Sequence, residues 1–135
     1  MIGIMREEAK LWWKHALKNI EVALRLLDED FYSFAAFHAH QAAESALKAL
    51  IIENLRELPP KVHSLIELAN ALKEEGLDIS PIEDDIKDLN PHYTISRYPD
   101  AANGVPSEVY SRRMAEGCVK MAERILEWVI SKMRT

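Results

Sequence analysis

Three polar residues, Gln41, Glu44 and Lys48, follow one line along the otherwise apolar stretch of residues 31–55. At about 100° per residue, Gln41 and Lys48 fall within about 20° of each other on a helix, with Glu44 beside them. A carboxylate and an ammonium four positions apart form an ion pair that stabilises an exposed helix by a few tenths of a kcal/mol. On an apolar helix, the same row has less access to water, so it must either meet partners inside the fold or line a site.

A second group of unusual residues, the segment NPHYTISRYPD at 90–100, surrounds Arg97. Arg97 stands between Tyr93 and Tyr98 and precedes a Pro-Asp turn. An Arg at a helix end often caps free carbonyl groups. Alternatively, a guanidinium held against aromatic rings binds a phosphate or a carboxylate, for which its planar fork is better suited than Lys.

Folding is expected to bring these two groups together in one ligand site. In this interpretation, Lys48 and Arg97 face a phosphate or acidic group, and the Tyr rings stack a base. The predicted ligand-binding residues are Gln41, Glu44, Lys48, Tyr93, Arg97 and Asp100.

The histidines and the single cysteine argue against metal chemistry. His38 and His40 are two residues apart, so on a helix they point about 160° away from each other and cannot share a zinc ion. One cysteine, Cys118, excludes an internal disulfide and a Cys-rich metal site. It lies on an apolar helical stripe, where packing is its expected role. We expect no metal and no cofactor.

Composition indicates a single domain spanning residues 1–135, with 48% hydrophobic residues. The net charge of −5 argues against general attraction to nucleic acid or anionic membranes. No apolar run reaches 18 residues, and the N-terminus lacks the apolar core of a signal peptide. The expected protein is therefore cytoplasmic, with no membrane contact.

Hydrophobic periodicity predicts an all-α fold, an up-and-down bundle of four to five helices that must position these groups. The cluster Asp28-Glu29-Asp30 is expected to end the first helix and cap the second, and Asn90 to cap a restart after a break at Pro91. The predicted elements are helices at 4–28 and 31–55, a short helix from His63 or Ser64 to a cap at Gly76, a fourth helix from Ser80, a loop at 100–107 and a last helix from Ser107.

Motifs at three places in the chain resemble one known family. HQAAESALKAL (40–50), VHSLIELA (62–69) and SRYPD (96–100), in this order, are similar to the small stand-alone HEPN domain proteins of archaea and bacteria. The resemblance implies a helical bundle that is often a homodimer and often pairs with a minimal nucleotidyltransferase in a toxin–antitoxin-like system. Three Trp and five Met residues also favour a homodimer, since they offer more large apolar side chains than a small bundle needs.

Many HEPN proteins are metal-independent ribonucleases, with an Arg followed after four to six residues by a His that moves protons. No His follows Arg97 at that spacing, His92 precedes it, and the pair Arg56 and His63 has the spacing but lies in the wrong loop. The leading prediction is a non-catalytic HEPN protein that binds a nucleotide-like ligand or a partner. The alternatives are a homodimeric ribonuclease that uses Arg97 with His92 or His38, and a purely structural polar row.

Overall fold

The computed structural model describes residues 5–133, and all regular secondary structure within that range is helical. This confirms the predicted all-α bundle. The helices are α1 (Glu7–Asp28), α2 (Tyr32–Leu50), α3 (Leu65–Glu74), α4 (Glu83–Leu89), α5 (His92–Ile95), α6 (Pro99–Ala102), α7 (Pro106–Val109) and α8 (Arg112–Lys132); a π-helical segment (Ile51–Leu55) continues α2, and a 3-10 turn (Ser80–Ile82) precedes α4.

Helix α2 is the centre of the bundle, because α1 packs along it, α8 packs against it, and α3, α5 and α7 also contact it. Alanine side chains are short, so the neighbouring helices can approach α2 closely and supply the larger core residues, such as Trp13 from α1 and Ile125 and Val129 from α8. No helix among residues 5–133 combines the length and the apolar character needed to span a bilayer. The alanines of α2 that are fully buried are Ala35, Ala36, Ala39, Ala42, Ala43, Ala46 and Ala49.

Helix α1 is the first helix within residues 5–133. Residue 4, where the first helix was predicted to begin, lies outside the described residues. Helix α1 begins at Glu7, and the backbone N–H of the preceding Arg6 donates to Glu53 Oε1 at 2.7 Å. Glu53 is buried in the π-helical segment, so a side chain at the end of the central helix satisfies a free donor at the start of α1.

The acidic cluster at 28–30 ends α1, but the prediction that it caps α2 is wrong. The N-cap residue of α2 is Phe31, with no side-chain hydrogen bond. Asp30 has a left-handed backbone (φ 67°) that turns the chain, and its carboxylate accepts from the Tyr32 hydroxyl at 2.9 Å. It also pairs with Arg112 at 3.2 Å, so this turn is tied to the start of α8.

Helix α3 has the caps that were predicted, and a third contact that was not. Ser64 Oγ accepts from the Glu67 N–H at 3.2 Å, and Gly76 follows the helix with a positive φ of 98°. Asn90 does not cap a restart after Pro91. Its Oδ1 accepts from the Leu65 N–H at 2.8 Å, which ties the end of α4 to the first turn of α3.

The last long helix begins at Arg112, so the predicted start at Ser107 is wrong. Residues 100–107, predicted as a loop, contain most of α6 and the first two residues of α7, which Pro106 opens at a position that suits proline. Tyr110 is extended (φ −75°, ψ 126°) and interrupts the helical path, and its hydroxyl lies 2.6 Å from His92 Nδ1. A tertiary contact therefore displaces the boundary.

Replacing Ser111 by Ala tests this boundary. Ser111 Oγ accepts from the Met114 N–H at 3.1 Å, so its loss should lower the free energy of unfolding by about 1 kcal/mol. Ser107→Ala is the matched control and should change stability little, because the side-chain cap of α8 comes from Ser111 and α7 has none. Urea unfolding followed by circular dichroism measures both variants; an equal effect of the two would contradict the observed start of α8.

Candidate functional site

The centre of the site is Glu44, a carboxylate in the middle of α2 that is 4% exposed. Its oxygens accept from Lys48 Nζ at 3.0 Å and from His63 Nδ1 at 3.1 and 3.3 Å. His40 Nδ1 lies 4.0 Å away. Lys48 comes from the same helix, as the spacing predicts, whereas His63 comes from the loop before α3. The carboxylate thus links that loop to the central helix.

The rest of the polar row belongs to the same network. Lys48 is 6% exposed, and its ammonium lies 5.0 Å from the centre of the Trp12 ring on α1, a distance at which the ring face attracts a cation. Gln41 is half-buried, and its Oε1 lies 3.3 Å from His40 Nδ1. The row therefore meets its partners inside the fold.

His40 is fully buried, and burial lowers its pKa to about 4 although Glu44 acts in the opposite direction. It is neutral at neutral pH. Its Nδ1 lies 3.3 Å from Gln41 Oε1, and its Nε2 is buried without a hydrogen-bond partner within residues 5–133. His38 lies on another face of α2 and contacts Asn19 Oδ1 at 2.8 Å, and burial lowers its pKa as well.

Arg97 is held against aromatic rings, a contact that the second interpretation of its sequence position requires. Its guanidinium carbon lies 4.3 Å from the ring centre of Tyr93, 4.7 Å from that of Tyr98 and 5.1 Å from that of Phe37. The guanidinium also donates to the Tyr98 hydroxyl. Arg97 is exposed, and no carboxylate within residues 5–133 forms an ion pair with it.

Tyr93 connects Arg97 to the Glu44 network. Its ring stacks on that of His63, with the centres 4.4 Å apart and the planes at 13°. It also lies 5.3 Å from the His40 ring. The same His63 side chain that donates to Glu44 thus supports the ring on which Arg97 rests.

Arg97 and Lys48 do not face one cavity, although the sequence placed them in a single site. Arg97 lines a cavity of about 490 Å³ together with Ser33, Phe34, Phe37, His38 and Val105. Lys48 lines another of about 340 Å³, together with Trp12, Leu58, Pro59, Lys61 and His63. We call these the Arg97 cavity and the Lys48 cavity.

The structure places the remaining predicted site residues, His92 and Asp100, in the short helices α5 and α6. Asp100 is exposed in the first turn of α6 and forms no ion pair with the described residues. His92 is half-buried, its pKa is lowered by burial, and it contacts Tyr110, so its observed role is to hold α5 against the start of α8. Arg56, whose spacing to His63 resembles the ribonuclease motif, has a left-handed backbone and lines a third cavity that also includes Arg6 and Glu57.

Sequence reasoning missed three side chains that build the site: His63, Phe37 and Trp12. The VHSLIELA motif contained His63, but nothing local indicates that its imidazole reaches back 19 residues to Glu44. No group of three or more His, Cys, Asp or Glu side chains within residues 5–133 is arranged to hold a metal ion.

Together, the fold and the site define an all-α bundle protein whose central helix carries a buried ion network with an aromatic–arginine cluster beside it. The model of the HEPN domain family matches residues 9–133. The chain belongs to the HEPN domain family.

Named relatives and solved structures agree with this assignment. The chain is 33% identical over 136 residues to "Putative toxin MJ1304" of Methanocaldococcus jannaschii, covering 93% of this chain and 88% of the relative. The crystal structure of TT1696 from Thermus thermophilus superposes with a TM-score of 0.85 at 32% identity, covering 95% of this chain and all of that one. ST0689, described as an archaeal HEPN homologue, gives a TM-score of 0.76 at 32% identity, covering 93% and 98% of the two chains.

Lys48→Met tests the buried ion pair. The substitution keeps much of the side-chain volume but leaves Glu44 with a single donor, so the free energy of unfolding should fall by about 3 kcal/mol in urea titrations. The double variant Lys48→Met, Glu44→Gln should recover part of this loss, because it leaves no unpaired buried charge.

An exposed ion pair of equal length provides the control for this prediction. Lys18 Nζ lies 3.0 Å from Glu21 Oε1 on the solvent side of α1, and Lys18→Met should leave stability nearly unchanged. A similar loss in Lys18→Met and Lys48→Met would show that burial of the Glu44 network contributes nothing.

Proposed function

We propose that this protein is the HEPN component of a cytoplasmic toxin–antitoxin-like pair, and that its Arg97 cavity binds the anionic group of a nucleotide or of a nucleotidyltransferase partner. Family membership and the toxin named among its relatives support the pairing. The observation that carries the binding proposal is the exposed Arg97 guanidinium, which three aromatic rings hold in place and which no described carboxylate neutralises.

The surroundings of Arg97 suit anion binding. A guanidinium whose orientation is fixed by ring contacts loses less conformational entropy when a phosphate or carboxylate binds it through two parallel hydrogen bonds. The cavity beside it is largely apolar, with polar atoms contributed by Ser33, Ser96 and His38. Ser33 Oγ is buried without a hydrogen-bond partner in the described chain, so its hydroxyl is available to hydrogen-bond a ligand.

The other predicted residues have supporting roles in this proposal. Glu44 orients His63, which stacks on Tyr93 and so fixes the ring beneath Arg97. Lys48 neutralises Glu44, and Gln41 is connected through His40. Asp100 is exposed three residues beyond Arg97, where it is available to a basic group of a partner.

Arg97→Lys tests the proposal, because it keeps the charge but removes the planar fork. We expect affinity for AMP, ADP or ATP, or for a minimal nucleotidyltransferase partner, to fall about tenfold in isothermal titration calorimetry. Arg25→Lys is the matched control on the surface of α1, where Arg25 pairs with Glu21. Binding by Arg97→Lys that equals binding by the parent would refute the role of Arg97.

A second candidate function is a metal-independent ribonuclease, favoured by the presence of His38 in the same cavity as Arg97. His38 Nδ1 lies 2.8 Å from Asn19 Oδ1, a contact that orients the imidazole as a proton-transfer group requires. In this case, the protein acts as a homodimer, and the exposed Phe31 and Phe34 beside the cavity are available for the contact.

Incubation of the purified protein with structured RNA, with and without EDTA, separates the two candidates. Cleavage that survives EDTA, and that Arg97→Ala and His38→Ala each reduce at least about a hundredfold, would establish the ribonuclease. Light scattering on the same samples should then give the mass of a dimer. If the parent protein leaves the RNA intact, the ribonuclease candidate is excluded and the binding proposal is retained.

A further inference from the structure

The Lys48 cavity lies outside the proposed Arg97 site and has a chemical character of its own. Its lining includes the apolar side chains of Trp12, Leu58 and Pro59. It also includes Lys48, Lys61 and His63, and the Lys48 ammonium lies 5.0 Å from the centre of the Trp12 ring. Apolar walls with a few convergent polar groups are typical of cavities that bind small molecules.

The ammonium groups of Lys48 and Lys61 can donate hydrogen bonds to a further acceptor. Lys48 has three N–H donors, and Glu44 is the carboxylate that pairs with it. Glu44 also accepts from His63, so its charge is shared between two donors. Lys61 is exposed and forms no ion pair within residues 5–133. An anion entering the cavity therefore meets one buried and one exposed ammonium group.

Size and charge restrict the ligand. An apolar cavity of about 150 Å³ accommodates benzene, so about 340 Å³ accommodates one aromatic ring with an anionic head group. Glu44 pairs with Lys48, and Lys61 forms no ion pair within residues 5–133, so one ammonium group is available to compensate one negative charge. Glu8 also lines the cavity, and its carboxylate would repel the further charges of a polyphosphate.

We propose that the Lys48 cavity is a second binding site that takes a small aromatic anion, a single ring bearing one sulfonate or carboxylate group. Its anionic oxygens bind the ammonium groups of Lys48 and Lys61, and its ring packs against Trp12 and Pro59. Trp12 is half-buried and already contacts Lys48, so ring and anion are recognised side by side.

Toluene-4-sulfonate is a suitable probe, because it has one ring and a single charge. Isothermal titration calorimetry with the full chain should detect its binding, and p-cresol, a neutral analogue, should bind at least about tenfold more weakly. Lys61→Ala removes an exposed side chain and leaves the Glu44 network intact; it should weaken binding about fivefold. Trp12→Leu should weaken binding by a similar factor, with folding checked by circular dichroism.

Arg97→Ala is the control, and it should leave toluene-4-sulfonate binding unchanged because Arg97 lines the other cavity. Absence of binding to the parent at millimolar probe, equal binding of p-cresol, or binding that neither Lys61→Ala nor Trp12→Leu affects would overturn the proposal. Loss of binding in Arg97→Ala would also overturn it, by placing the probe in the Arg97 cavity. Nucleotide or partner binding measured in Lys61→Ala reports on the Arg97 site separately.

Discussion

The buried carboxylate of Glu44 is the constraint on which the rest of the site depends. Removing a charged group from water costs on the order of several kcal/mol, so a carboxylate that is 4% exposed must be compensated by donors held in position. Lys48 supplies one donor from the same helix and His63 supplies the other from a distant loop. The requirement to compensate one charge therefore fixes the loop before α3 on the central helix.

The consequences of that fixed loop extend to the surface. A hydrogen bond to Glu44 orients the His63 imidazole, and the Tyr93 ring stacks on it. The Tyr93 ring in turn contacts the Arg97 guanidinium. The segment that carries Tyr93 and Arg97 is secured in addition by His92, whose imidazole contacts a hydroxyl ahead of α8. An exposed guanidinium thus acquires a defined orientation from groups that lie in the interior.

The sequence could predict those features of the structure that depend on contacts between residues close together in the chain. Helical periodicity indicated the all-α fold and placed Glu44 and Lys48 on one line, so their ion pair follows from spacing. His63, by contrast, meets Glu44 across 19 residues, and no periodic pattern encodes that contact. The start of the last helix was predicted incorrectly for the same reason, because Tyr110 is extended where its hydroxyl meets His92, 18 residues away. In both places, a contact between residues distant in sequence determines the structure.

The ring of Tyr93 contacts a lining side chain of each of the two cavities. Its ring contacts His63, which lines the Lys48 cavity, and Arg97, which lines the Arg97 cavity. The Tyr93 ring therefore connects a side chain of one cavity to a side chain of the other. The hydrogen bonds of His63 to the buried Glu44 restrain the imidazole on which this ring stacks, so the buried network also restrains this connection.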